Sequence, residues 1–514
     1  MFTAPTPLPD EPAALRLILQ AALAEIARLQ AMIAGFQRHR FGRKSERLDD
    51  GQIERGIEDL EQSLGEQSAR VEAAIPDQPR AAPPKRNRGA LPADLPRAEV
   101  TIDIDGKTCP DCGGARHVIG EDRAEMLDYI PASFRVRVIR RPKYGCRGCE
   151  GPVAQAPAPE RPIDGGMATE ALIAHVLISK YCDHLPLYRQ SQMLARHGVD
   201  LDRSTLCGWV GRACWWLEPL HELLLSTVLA SPRVFADDTT LPVLDPGEGK
   251  TKTGRLWCYA ADNRTWAGPG HPVVAYCYSE DRKGAHPAAH LKGFAGLLQV
   301  DGYTGFNRLL AEAAGDAAPR FAFCWAHARR KFYDVHAATK APLAAEALTR
   351  IAALYAIEAD IRGKDAEERR RVRQERSRPL VTALHVWLGE QLGRISGGST
   401  LAKAIRYALN HWAGLILFLD DGRVELDTNT VERAIRPITL GRKNALFAGA
   451  DSGGRHWAIV ASLIQTAKLN DVEPWAWLTD VLERIVSGRT RRNELHTLLP
   501  WTWAAERDAV TGTG

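Results

Sequence analysis

No apolar run in this chain reaches the roughly 20 residues needed to cross a bilayer. Its first residues carry none of the basic-then-apolar pattern of a secretion signal. The chain is therefore expected to work in the cytoplasm, with no membrane partner. A disulfide framework is also missing. Of the ten cysteines, four form two Cys-x-x-Cys pairs and six are scattered singly, the usage of a reducing compartment. Nor does charge of one sign predominate: 67 Lys and Arg against 63 Asp and Glu leave a net charge of +4. That excludes a general polycation. The basic residues are instead clumped, at Arg38–Arg47, Lys85–Arg88, Arg135–Arg147, Arg329–Lys331, Arg369–Arg378 and Arg489–Arg492. Clumped charge on a near-neutral chain suits local contact with a polyanion. Arg369–Arg378 reads differently, because a glutamate interrupts the run and others precede it. It is expected to be a solvated helix face.

With 514 residues the chain is too long for one core and should divide into several domains. In residues 1–48, Leu15, Leu19, Ala22, Ile26, Leu29, Ile33 and Phe36 fall at alternating steps of four and three. This heptad seam predicts a coiled-coil helix, with an amphipathic helix packed on its own chain as the alternative. A polar, then proline-rich linker occupies 49–100. Within 101–155, Cys109-Pro-Asp-Cys112 and Cys146-Arg-Gly-Cys149 are separated by 33 residues. Four thiolates so spaced suit one tetrahedral Zn²⁺ with no open position, a structural zinc ribbon. In its spacer Phe134, Val136 and Val138 alternate with Arg135 and Arg137, which predicts a strand with a basic, DNA-facing side. Residues 165–230 read as helical. Leu187–His197 and Ser204–Cys214, joined through Gly198 and capped at Asp202 or Ser204, resemble a helix-turn-helix, or else an ordinary helical hairpin.

From 231 to 455 the pattern becomes mixed. Strands are predicted at Arg233–Ala236, Arg255–Ala261, Val273–Tyr278, Leu297–Val300 and Arg320–Cys324, with short helices between them. Two apolar runs end in aspartate, Val-Phe-Ala-Asp237 and Leu-Leu-Gln-Val-Asp301. A buried strand that delivers a carboxylate is a poor way to build a core and a good way to hold a metal. A helix from Thr428 to Pro437 then places Asn429, Glu432, Arg433 and Arg436 on one face, with Val431, Ala434, Ile435 and Ile438 on the other. Three antiparallel-prone strands, a helix, then alternating strand and helix is the element order of a ribonuclease-H-like core. The 130 residues between Asp301 and Glu432 exceed any simple connection, so about 336–425 reads as a helical insertion. Residues 456–514 close the chain as helices. The expected fold class is thus multidomain α+β.

These motifs make the chain similar to insertion-sequence transposases of the IS66 family over nearly its whole length. The resemblance rests on the zipper, the ribbon cysteines with Arg141-Pro-Lys-Tyr-Gly-Cys-Arg-Gly-Cys149, Lys180-Tyr-Cys-Asp-His-Leu-Pro-Leu-Tyr-Arg189 and Gly254-Arg-Leu-Trp257. It rests also on Asp301-Gly-Tyr-Thr-Gly305, Cys324-Trp-Ala-His-Ala-Arg-Arg-Lys-Phe332, Glu432-Arg-Ala-Ile-Arg-Pro437, Gly441-Arg-Lys-Asn444 and Leu498-Leu-Pro-Trp501. It implies an Asp-Asp-Glu transposase that binds double-stranded DNA at terminal inverted repeats, then cleaves and joins strands with two Mg²⁺ (or Mn²⁺) ions held by Asp237, Asp301 and Glu432. The family's first motif usually reads Asp-Glu-Thr, whereas this chain has Asp237-Asp238-Thr239. Either of the adjacent aspartates is a candidate ligand, and strand geometry points them to opposite faces. Arg433, Arg436, Arg442 and Lys443 are expected at phosphates near the scissile bond, with His327, Arg329, Arg330 and Lys331 as further candidates. A homo-oligomer, accessory proteins of the same element and association with the bacterial nucleoid are also implied. Two other readings use the same carboxylates: a transposase-derived DNA-binding protein without catalysis, and a two-carboxylate sugar hydrolase. The cysteine pairs and basic clusters count against the second.

Overall fold

The computed structural model describes residues 134–144, 154–163, 166–245, 250–312 and 318–511. The expected zipper of 1–48, the linker of 49–100 and all four ribbon cysteines lie outside these residues. Of the ribbon's spacer, Phe134, Val136 and Val138 are exposed, and no strand forms over 134–142. The expected alternating strand is replaced by a two-residue pairing of Lys143–Tyr144 with Ala154–Gln155. Phe134 meets the His197 ring edge-on, 5.8 Å between centroids, but Val136 and Val138 stay open to solvent, so the alternation buries no continuous face.

The described chain is a mixed α+β structure organised on one five-stranded sheet. Its strands are β1 (Arg233–Asp245), β2 (Lys250–Ala261), β3 (Val273–Ser279), β4 (Leu297–Val300) and β5 (Arg320–Phe323). Their order is β3-β2-β1-β4-β5. The first three are antiparallel and form a meander, while β4 and β5 run parallel to β1. Val234, Phe235 and Ala236 of β1 and all four residues of β4 are buried. Such near-continuous apolar runs are what strands covered on both faces require.

All five strands fall where the sequence places them, but the first two are longer than expected, β2 starting at Lys250 and not at Arg255. β1 does not end at Asp237 but continues to Asp245, paired with β2 from Phe235↔Ala260 to Asp245↔Lys250. Asp237 is therefore within a strand, not at its end. The physical reason is the long hairpin. Thr239, Leu241 and Val243 are buried alternately beyond the aspartates, so the strand keeps a covered face after the continuous apolar run stops. On its other side β1 pairs with β4 only from Arg233↔Leu297 to Phe235↔Gln299. Farther along, Ala448 bridges to Val243.

Among the described residues three helices, α1 (Glu170–Tyr181), α2 (Leu187–Arg196) and α3 (Arg203–Leu229), precede the sheet. The expected helix pair is present, but its second member is more than twice as long as predicted and buries Leu206, Trp209, Leu217, Leu224 and Val228. The His221 ring lies 2.8 Å from the Tyr276 carbonyl of β3, and buried residues from Ala168 to Val228 share one hydrophobic cluster with the sheet. After β5 come α6 (Trp325–Thr339), α7 (Pro342–Asp360), α8 (Ala366–Val372), α9 (Arg378–Arg394) and α10 (Thr400–Asn410), then the one-turn helices α11 (Trp412–Leu415) and α12 (Leu417–Asp420). The α4 (Ala285–His290) and α5 (Asn307–Glu312) helices flank β4. Together the α6–α10 helices bury their own core around Trp325, Phe332, Leu354, Leu384 and Ile405. The helical character expected for the insertion is therefore present.

Arg369–Arg378 departs from expectation. Arg370, Arg371 and Arg376 are exposed and Arg378 is half-buried, each paired with a carboxylate. Arg369 and Arg373, one helical turn apart, are buried. Arg369 bridges Glu425 at 2.8 Å and Glu358 at 3.3 Å, and Arg373 meets Glu358 at 2.6 Å. Arg233 of β1, fully buried, reaches the same Glu425 at 3.3 Å. A run that looks uniformly polar thus contributes one stripe to a buried ion network, because partners from distant segments compensate it.

The α13 helix (Asn429–Ala445), α14 (Asp451–Leu469) and α15 (Pro474–Val486) complete the core, followed by a final helix at Pro500–Thr511. The α13 helix does not stop at Pro437; the proline lies inside it. Proline removes one main-chain donor and usually bends or ends a helix. Here burial of Val431, Ile438 and Gly441 holds the helix against the sheet, and the Tyr276 hydroxyl donates to the Ala434 carbonyl at 2.6 Å. Tertiary contact overrides local propensity.

Candidate active site

The centre of the sheet sets the geometry. Continuing the β1–β4 register two residues beyond Phe235↔Gln299 brings Asp237 level with Asp301. Asp301 follows the last residue of β4, and Gly302 behind it has φ +94°. A side chain at Gly302 would also crowd His411, whose ring nitrogen lies 3.0 Å from the Cβ position. The turn is fixed by the Tyr303 amide donating to Asp301 Oδ1 at 2.9 Å and the Tyr407 hydroxyl donating to the Asp301 carbonyl at 2.9 Å. Burial, then the neighbouring Asp301, push the Asp237 carboxyl up to about 7. Two carboxyl groups brought together in a covered site repel unless a proton or a cation neutralises them.

Asp238 has a different environment. Its side chain is 1% exposed and takes Arg255 at 2.9 Å on one oxygen and Arg282 at 2.7 Å on the other. Arg282 also lies over the Tyr303 ring, 3.9 Å from its centroid. Both Asp238 oxygens are thus occupied by guanidinium groups, whereas Asp237 accepts, among the described residues, a main-chain bond from the Asp238 amide at 2.7 Å.

Glu432 stands in the first turn of α13 and is exposed together with Arg433 and Arg436, while Val431 and Ile438 are buried. The two faces expected for this helix are present. One Glu432 oxygen accepts from the Thr428 hydroxyl at 3.3 Å. Its ligand-capable atoms come within 4.8 Å of those of Cys324 and His327. A positive charge on His327 would oppose the upward shift of Asp237. From sequence His327 is expected only at DNA phosphates, and Cys324 has no expected ligand role. The signal was present in the Cys324-x-x-His327 spacing, one helical turn.

The basic candidates fall into different settings. Arg433, Arg436, Lys443, Arg329, Arg330 and Lys331 are exposed, as are Arg135 and Arg137. Lys331 lies 5.5 Å from the centroid of Tyr407, the residue bonded to the Asp301 carbonyl. Arg442 is half-buried and committed. It donates to the carbonyl and hydroxyl of Thr240 in β1 and to Thr439 at 3.2 Å. It ties α13 across the strand that carries Asp237. Arg255 and Arg282, given no role from sequence, reach this part of the site through Asp238.

Oxygen donors on adjacent strands, one with a raised carboxyl pKa, fit a hard divalent cation. The unpartnered buried Nδ1 of His327 marks a further donor beside Glu432.

Comparison with known proteins agrees with this architecture. The model described as "Transposase IS66 family" matches residues 165–456. "Zinc-finger binding domain of transposase IS66" matches 107–150, a span holding all four paired cysteines. "IS66 C-terminal element" matches 462–501, and "Transposase C of IS166 homeodomain" matches 28–100. The chain is similar to three Sinorhizobium fredii proteins. It is 50% identical to y4jD over 82% of this chain and 83% of the relative. It is 43% identical to y4qI over 96% and 92%, and 40% identical to y4hP over 93% and 89%. No helix among the described residues is long and apolar enough to cross a membrane.

Proposed function

The chain belongs to the transposase IS66 family, and from that premise we propose that it cleaves and joins DNA strands at the ends of an insertion sequence through Asp237, Asp301 and Glu432. The observation that carries the reading is the aspartate pair on adjacent parallel strands, with the Asp237 carboxyl at about 7. The β3-β2-β1-β4-β5 order, antiparallel then parallel, supports a ribonuclease-H-like core. Asp237 is the ligand of the adjacent pair, because Asp238 is held by Arg255 and Arg282. The three carboxylates would hold Mg²⁺ or Mn²⁺, which supplies charge neutralisation at the phosphate and acidifies the attacking water.

The protein's own groups orient the DNA. Arg433 and Arg436 follow Glu432 on the exposed face of α13 and would meet phosphates beside the broken bond. Lys443, Arg329, Arg330 and Lys331 extend that basic surface. Arg442 acts through its tie to Thr240, fixing the distance between α13 and β1. Cleavage breaks a phosphodiester P–O bond with water and leaves a 3′-hydroxyl. That hydroxyl then attacks a target phosphodiester, forming one P–O bond as another breaks. The ribbon cysteines Cys109, Cys112, Cys146 and Cys149 would hold a structural Zn²⁺. Residues 1–48 would pair subunits so that two ends are held together.

Glu432→Gln tests the reading. It keeps volume and helix propensity but removes a charge. Nicking of terminal-repeat DNA in Mg²⁺ should fall by about 10²–10⁴, or about 3–5 kcal/mol. Binding of the same DNA in Ca²⁺ should survive. Near-normal nicking would remove Glu432 from the active site. Absence of metal-dependent nicking by the unaltered chain would favour a DNA-binding protein without catalysis.

A further inference from the structure

The Cys324–His327–Glu432 cluster has a donor set that the aspartate pair lacks. Its atoms lie within 4.8 Å of one another, close enough to share one ion. They come from two rigid helix starts. Cys324 is the N-cap of α6, His327 is one turn later, and Glu432 is in the first turn of α13. Thr428, 1% exposed, supports two of the three donors. Its amide donates to Cys324 Sγ at 3.4 Å and its hydroxyl to Glu432 at 3.3 Å. An outer layer that orients donors in this way is typical of built metal sites. His327 Nδ1 is buried and has no hydrogen-bond partner, which costs free energy unless something binds it. The nearby Tyr355 hydroxyl is likewise buried and unpartnered. Cys324 is buried while Glu432 is exposed, so the cluster has one closed side and one open to solvent.

We propose that Cys324, His327 and Glu432 form a cation site of sulfur, nitrogen and oxygen donors that takes Zn²⁺. Thiolate with imidazole selects Zn²⁺ over Mg²⁺, and three protein ligands leave a fourth position for water or a phosphate oxygen. Binding displaces the Cys324 thiol proton to solvent. The site shares Glu432 with the triad proposed above, but its metal binding stands independently of catalysis. Zinc seated here engages Glu432 and withdraws it from a hard cation, so it acts against Mg²⁺-dependent cleavage.

The test is metal analysis of the full chain equilibrated with Zn²⁺ and then desalted. Relative to the unaltered protein, Cys324→Ser and His327→Gln should each lose one equivalent of zinc. Whatever the ribbon holds is common to all three chains. Because Cys324 is buried and its replacement can disturb folding, His327→Gln, at a half-buried position, gives a second reading. Substituting Co²⁺ gives a third, since the thiolate-to-cobalt absorption of the unaltered chain should drop in Cys324→Ser. Equal zinc in the unaltered chain and in His327→Gln, with cobalt absorption unchanged in Cys324→Ser, overturns the site. A chain that shows the extra equivalent yet never nicks DNA leaves the site standing and removes the catalytic reading instead.

Discussion

Asp237 and Asp238 are neighbours in sequence with opposite electrostatic fates. Asp238 neutralises two guanidinium groups in a site where its side chain is 1% exposed. Replacing it with asparagine leaves Arg255 and Arg282 less compensated and should cost about 1–3 kcal/mol of stability. Asp237→Asn should do the reverse in Mg²⁺-free buffer. Its carboxyl titrates at about 7 when folded, against about 4 in an unfolded chain. The folded state therefore holds more protons between these values, and the wild-type protein loses stability as pH rises through that window. Asp237→Asn should match wild type near pH 4 and exceed it by on the order of 2–4 kcal/mol above pH 7. Denaturant melts across pH measure this difference. A variant no more stable than wild type at pH 8 would contradict the assigned environment.

At the scale of elements, α13 decides where Glu432 stands. The helix continues through Pro437 because it is held at several points: the Tyr276 hydroxyl on Ala434, Arg442 on Thr240, and close packing at Gly441. A Cβ at Gly441 would lie 2.8 Å from the Trp457 ring of α14 and 3.3 Å from His184 Nδ1. Both rings are fixed in packed surroundings, so Gly441→Ala should push α13 outward and cost about 1–3 kcal/mol. Because the displaced helix carries Glu432, metal-dependent nicking should fall more steeply than the melting temperature alone implies. A variant with wild-type stability and activity would show that α13 tolerates a wider spacing.

Across the whole molecule, the helical insertion is fastened to the sheet by charge as well as by apolar packing. Arg233 on β1, Arg369 and Arg373 in the insertion, and Glu358 and Glu425 form one network of buried groups. Burial alone would raise the Glu425 carboxyl, but Arg369 and Arg233 outweigh it and hold the group at about 2. Gln299 of β4 exchanges two hydrogen bonds with the Glu425 main chain, at 2.9 and 3.0 Å. This anchors the segment that leads into α13. Glu425→Gln should leave Arg233 and Arg369 under-compensated and destabilise the protein by about 3–5 kcal/mol. For wild type, the depressed carboxyl contributes stability that is present above about pH 4.5 and is lost as pH falls toward 2. The variant's pH–stability curve should be flatter over that range, as thermal melts can show.

Residue types and their spacing determined by themselves the strand set, the helical insertion and the amphipathic face of α13. Each depends on periodic burial that is written locally. The same local patterns placed Asp237, Asp301 and Glu432 in order along the chain. Sequence could not choose between Asp237 and Asp238, because that choice depends on Arg255 and Arg282, which lie 17 and 44 positions away. Nor could it distinguish Arg369 and Arg373 from the exposed arginines around them, or predict that α13 would pass through its proline. His327 and Cys324 reach Glu432 only because α6 and α13 begin side by side, more than 100 positions apart in the chain. Patterning decides which side of an element is buried, but the partner of a buried polar group comes from another element, and only the packed structure supplies it.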